Sequence, residues 1–90
     1  MLYMVVERFR SGDPVPVYRR FRDHGRMIPD GLRWVSSWVT ADLGRCYQLM
    51  ECDDPALLGQ WTARWADLAD FEIIPVVTSA EAAAIVAPRL

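Results

Sequence analysis

Two Asp-Pro steps, Asp13-Pro14 and Asp54-Pro55, constrain this chain more than any other feature. Each follows a run of strand-forming residues. Each offers a capping carboxylate and then a proline whose missing N–H costs a helix nothing in its first turn. Both therefore mark a passage from strand to helix. The first strand is expected over residues 2–9, "LYMVVERF", rich in β-branched and aromatic side chains. The first helix follows from Pro14 to about Ile28, with Pro16 still harmless in its first turn. Val17, Tyr18, Phe21, Gly25 and Ile28 form its apolar stripe, while Arg19, Arg20, Asp23 and Arg26 face water.

"PDG" ends that helix, and residues 32–40, "LRWVSSWVT", read as a second strand. The short "ADLG" connection returns the chain as an antiparallel partner over residues 45–52. After Asp54-Pro55, Leu58, Trp61, Trp65 and Leu68 repeat at helical spacing, which makes both tryptophans core anchors. A fourth strand over residues 71–78 contains Pro75, which cannot donate to a ladder and so belongs at a sheet edge or bulge. Thr78 and Glu81 have capping-box spacing ahead of a short last helix. The order βαββαβ predicts one α+β domain over residues 1–90. It has a ferredoxin-like, four-stranded antiparallel sheet with two helices on one face, and a short C-terminal helix.

Composition decides how such a domain lives. Ninety residues, 52% of them hydrophobic and four of them Trp, are more apolar material than a small monomer hides easily. A chain this short buries only about 60–65% of its unfolded surface. The expected partner is a second copy of the chain, in a homodimer. The net charge of −2 is spread in interleaved signs, so no nucleic-acid surface is expected. All ten basic side chains are Arg, a uniformity that reflects genome composition more simply than ligand chemistry. Cys46 and Cys52, on one strand, stand about 20 Å apart at ~3.3 Å per residue. A disulfide needs Cα atoms within about 7 Å, so both are expected as free thiols in a cytoplasmic protein. The apolar start has no basic leader and meets Glu7 too early to span a membrane.

Strand parity sorts the sheet into two faces. Leu2, Met4, Val6, Val35, Val39, Tyr47, Leu49, Ile74 and Val76 form an almost wholly apolar set, the one expected beneath the helices. Tyr3, Val5, Glu7 and Phe9, Trp34, Ser36 and Trp38, Cys46, Gln48, Met50 and Cys52, and Phe71, Ile73 and Val77 form the opposite, open face. A half-apolar face with Glu7 and Gln48 at its centre has the composition of a small-molecule cavity. Tyr3, Glu7, Trp34, Ser36, Trp38 and Gln48 are its candidate ligand-binding residues. The other reading of that face is a polar-studded dimer interface without a ligand.

The segments "MLYMVVERF", "VYRRFRDHGRMIPDGL", "CYQLMECDD" and "ADFEIIPVVTSAEAA" resemble a family of small bacterial proteins described only as a domain of unknown function, grouped with the dimeric α/β-barrel proteins. The resemblance covers nearly the whole chain and implies fold and dimerisation. It brings no catalytic residue and no cofactor. The wider superfamily includes cofactor-free monooxygenases, isomerase-like enzymes and binding proteins.

Glu7 is the best single candidate for chemistry. A carboxylate among Tyr3, Trp34, Trp38 and Phe71 is poorly solvated, and desolvation raises its pKa toward the range of a general base. Gln48 and Ser36 would orient a substrate beside it. The plainer reading is a strand-end charge reaching solvent or an arginine. His24 lies at the border of the first helix's stripe with no orienting partner and no second ligand for a metal, so it is expected to be structural. Arg8, Arg10, Arg19, Arg20, Arg22 and Arg26 could attract an anion, but they spread around the helix as a solvated face does. No phosphate loop, Ser-His-Asp set or zinc spacing is present.

Overall fold

Both Asp-Pro steps cap as their positions predict. Asp13 Oδ1 accepts from the Val15 N–H at 3.0 Å, and Asp54 Oδ1 from the Ala56 N–H at 3.0 Å. A helix begins at each. The computed structural model describes residues 1–90. Its elements are β1 (Leu2–Phe9), α1 (Val15–His24), β2 (Arg33–Val39), β3 (Arg45–Glu51), α2 (Ala56–Ala63), β4 (Ala69–Val76) and α3 (Ser79–Val86), with 3-10 turns at Arg10–Gly12 and Ala87–Arg89. The four strands form one antiparallel sheet in the order β2-β3-β1-β4. The α+β, ferredoxin-like βαββαβ arrangement with a C-terminal helix is thus the fold of the chain.

Helices α1 and α2 and strand β4 differ in extent from the sequence reading, α2 ending at Ala63, ahead of Trp65 and Leu68. Helix α1 ends at His24, not near Ile28, because Gly25 takes φ 68° and ψ −161°, a region open essentially to glycine alone. Its N–H donates to the Phe21 carbonyl at 2.8 Å, and Met27 turns the chain again at φ 57°. Of the expected stripe only Val17 is buried on α1, and Tyr18 and Phe21 stay partly open. Strand β4 begins two residues early, since Ala69 and Asp70 still pair with Phe9 and Arg8. Pro75 lies on this outer strand, as its missing donor requires. The Thr78–Glu81 capping box closes in both directions.

The two faces of the sheet are the reverse of the sequence reading. Helices α1 and α2 cover the face of Val5, Phe9, Cys46 and Met50, against which Val17, Leu58, Trp61 and Trp65 pack. Tyr3, Glu7 and Gln48 are on this covered face too, not on the open one. Both faces of the central strands are largely apolar, so parity alone cannot choose between them. The polar pair on one face suggested openness, yet it satisfies itself by hydrogen bonding and so survives burial.

A bulge at Val35 adds a second correction. Trp34 pairs with Met50, but the next pair is Ser36 with Leu49. Beyond the bulge Ser37 and Val39 join the helix side, opposite Gln48 and Cys46. Ser36 and Trp38 pair with Leu49 and Tyr47 on the open side. Trp34 and Trp38 therefore face opposite ways.

The open face carries Met4, Val6, Trp38, Tyr47, Leu49 and Ile74, none of which joins the core that α1 and α2 pack against the other face. Helix α3 projects away, exposed except at Ala82, and its substantial contacts are only with the 3-10 turn that follows it. The Cα envelope is 17 Å in its thinnest direction, enough for one helix layer on one sheet.

Candidate functional site

Glu7 sits mid-sheet because β1 is a central strand, paired with Cys46 on β3 and Phe71 on β4. It is 4% exposed. Its Oε2 accepts one hydrogen bond, from Gln48 Nε2 at 3.0 Å, and no ion pair reaches it. Its second oxygen has no protein partner, yet no fully buried side-chain oxygen or nitrogen in the chain is left unbonded. That oxygen therefore opens onto free space.

The free space is a cavity of about 110 Å³ between the sheet and the helices. Phe9, Val17, Val39, Trp61 and Trp65 supply its apolar walls. Glu7, Gln48, Ser37, Cys46, Tyr18 and Arg26 bring polar groups to it. At this size it fits a compact, single-ring molecule, well below the ~300–1,000 Å³ of drug-sized pockets.

Burial sets the electrostatics. It raises the Glu7 pKa above the ordinary carboxyl value of 4.5, against the smaller opposing pull of the Gln48 hydrogen bond. Burial also pushes the Cys46 thiol up to about 12, with the Glu7 charge adding to the effect and Arg26 opposing it. Cys46 is thus an inert wall group, since the thiolate is the reactive form. The Tyr18 hydroxyl is raised by burial first, then by Cys46 and Glu7. A carboxyl with a raised pKa can donate a hydrogen bond when protonated, or accept a proton from a bound molecule when ionised.

Trp61 on α2 and Trp65 in the turn that follows it frame the cavity. Trp61 Nε1 and Trp65 Nε1 both donate to the Arg26 carbonyl, at 2.9 and 3.1 Å. Arg64 donates to the Met27 carbonyl. The turn that ends α1 is thereby tied to α2, and the Arg26 side chain is directed to the cavity. There its guanidinium lies 5.0 Å from the Phe21 ring and 4.3 Å from the Trp34 ring.

Of the residues singled out in the sequence, Glu7 and Gln48 meet in the cavity. Trp34 stands one layer out, against Arg26, and Tyr3 packs against the core without lining the cavity. Ser36 and Trp38 lie across the sheet, and Ser37 takes the place expected of Ser36. His24 is exposed at the end of α1, its side chain without a hydrogen bond, and no cluster of metal-ligating side chains forms in the chain. Arg20 forks onto Asp67 at 2.7 Å for both bonds, Arg22 pairs with Asp23, and Arg10 with Asp70. Arg26, read from the sequence as part of the wet face, is instead a cavity residue. The signal was Gly25 directly before it, which takes Arg26 off the helix.

A family model described as a domain of unknown function (DUF3303) matches residues 1–90. No curated protein and no solved structure matches the chain. No helix is long and apolar enough to cross a membrane.

Proposed function

The chain belongs to the DUF3303 family, and we propose that it is a homodimer that binds a compact apolar or aromatic molecule in the cavity beside Glu7 and Gln48. The observation that carries this reading is the buried Glu7 carboxyl, one oxygen on Gln48 and the other facing an apolar, ring-sized space. The Gln48 hydrogen bond occupies one carboxyl oxygen and leaves the other as a polar group that a ligand N–H or O–H can meet. The same carboxyl supports a second reading, turnover of a ligand with an acidic O–H or C–H, as in cofactor-free members of the dimeric α/β-barrel superfamily.

The dimer reading draws on the uncovered sheet face. Four strands of about eight residues present roughly 500 Å² in projection, at ~4.8 Å between strands and ~3.3 Å per residue. A standard interface takes about 800 Å² from each partner. Helix α3, with Ile85 and Val86 exposed, can supply the remainder by reaching over the second copy. Two free cysteines, Cys46 and Cys52, support a reducing, cytoplasmic setting.

Titrating the ¹⁵N-labelled chain with phenol and following its amide and indole signals tests the ligand site. Shifts are expected at Glu7, Gln48, Trp61 and Trp65. Shifts confined to Trp38 and Tyr47, or none at millimolar phenol, would overturn the reading.

A further inference from the structure

We infer that the cavity selects a small planar carboxylate, and that Arg26 is the residue that holds its charge; this rests on the cavity being a ligand site. Arg26 is a cavity-lining cation, and its guanidinium has neither an ion-pair partner nor a hydrogen bond within the chain. Exposed arginines without a partner are hydrated. Arg26 is partly buried, with Phe21 and Trp34 within stacking range of its guanidinium. Stacking suits a guanidinium because its charge is delocalised over a plane and only weakly hydrated. It also leaves the N–H groups at the edges of that plane free, and those edges match a carboxylate with two parallel hydrogen bonds.

The backbone fixes this placement from below. Two indole N–H groups hold the Arg26 carbonyl, and Gly25 and Met27 turn the chain on either side of it. The side chain is therefore delivered by a rigid turn rather than by a flexible helix face. Glu7 shares the cavity, but no ion pair joins it to Arg26. A cation and a carboxyl held apart on one small cavity leave a gap for a ligand with matching polar groups. Arg26 is the one cation of the lining, and apart from Glu7 its other polar groups, Tyr18, Ser37, Gln48 and Cys46, carry no charge, burial holding the Cys46 thiol up at about 12. Trp61 and Trp65 offer the flat apolar walls a ring requires. Trp34 then has a defined part as a positioning residue, backing the guanidinium instead of lining the cavity.

Benzoate and benzamide are nearly the same shape and differ in charge, so the pair separates charge selection from simple filling of the cavity. Calorimetric titration of the full chain is expected to show benzoate binding at least about tenfold tighter than benzamide. Arg26→Gln should abolish that preference, bringing benzoate affinity to that of benzamide. The turn is held through the Arg26 carbonyl, which this substitution keeps, and thermal unfolding of the variant checks it. Equal binding of the two probes to the parent chain overturns the carboxylate inference while leaving the cavity as a site for neutral rings. Failure of both probes at millimolar concentration overturns the cavity reading itself, and the inference with it. An undiminished benzoate preference in Arg26→Gln assigns the charge recognition elsewhere and also overturns it.

Discussion

Glu7 is where folding and binding pull in different directions. The groups around it are Gln48 and Cys46 from β3, Tyr18 from α1 and Arg26 from the turn after α1, and none forms an ion pair with it. Its folded-state pKa lies above the ordinary value of 4.5. The folded state therefore holds the proton more tightly than the unfolded chain does. This contribution to stability is fully present below pH 4.5 and is lost as pH rises from there through the folded-state pKa. Asp42 and Asp67 are shifted the other way, chiefly by Thr40 and Arg20 respectively, so the total profile mixes signs. Comparing the parent with Glu7→Gln isolates the one group. The variant should lose the parent's decline across that range and equal or exceed its stability at neutral pH. Parallel urea-denaturation profiles for the two chains would show that Glu7 titrates as a solvated carboxyl.

At the scale of elements, what the sequence made legible was punctuation. The Asp-Pro caps, the strand at 2–9, the Thr78–Glu81 box and Trp61 on α2 lie where local chemistry puts them, and Trp65 is a core anchor although α2 ends before it. The face of the sheet was not legible, because Leu2, Met4 and Val6 compete on equal apolar terms with Tyr3, Val5 and Phe9. Only the bulk of Trp61 and Trp65 over Val5 and Cys46, and the mutual satisfaction of Glu7 and Gln48, settle it. The bulge at Val35 has no sequence signal in "RWVSSWV", and it alone parts Trp38 and Ser36 from the site. The end of α1 was readable in hindsight from Gly25. Two glycine substitutions test that element. An added Cβ meets nothing within 4 Å at either Gly25 or Gly59, so the backbone alone decides. Gly25→Ala should cost about 1–3 kcal/mol for its glycine-only conformation. Gly59→Ala, inside α2, should gain about 0.5–1 kcal/mol. Urea unfolding reads both, and a gain at Gly25 would contradict the account of how Arg26 is placed.

At the scale of the molecule, one thin layer of helices on one sheet leaves an apolar face and a projecting helix unpaired. Light scattering at micromolar concentration is expected to give about twice the 10.3 kDa chain mass, and a monomer there would contradict the dimer. Removing residues 79–90 should shift the equilibrium toward monomer, since α3 adds area that the sheet face lacks. The two faces would then divide the work, one for assembly and one for the ligand. The most direct test of that division is a crystal structure of the full chain grown with benzamide. The expected result is ring density between sheet and helices, with the amide bonded to Glu7 or Gln48. Benzamide on the open face beside Trp38 and Tyr47, with the helix-side cavity empty, would contradict it.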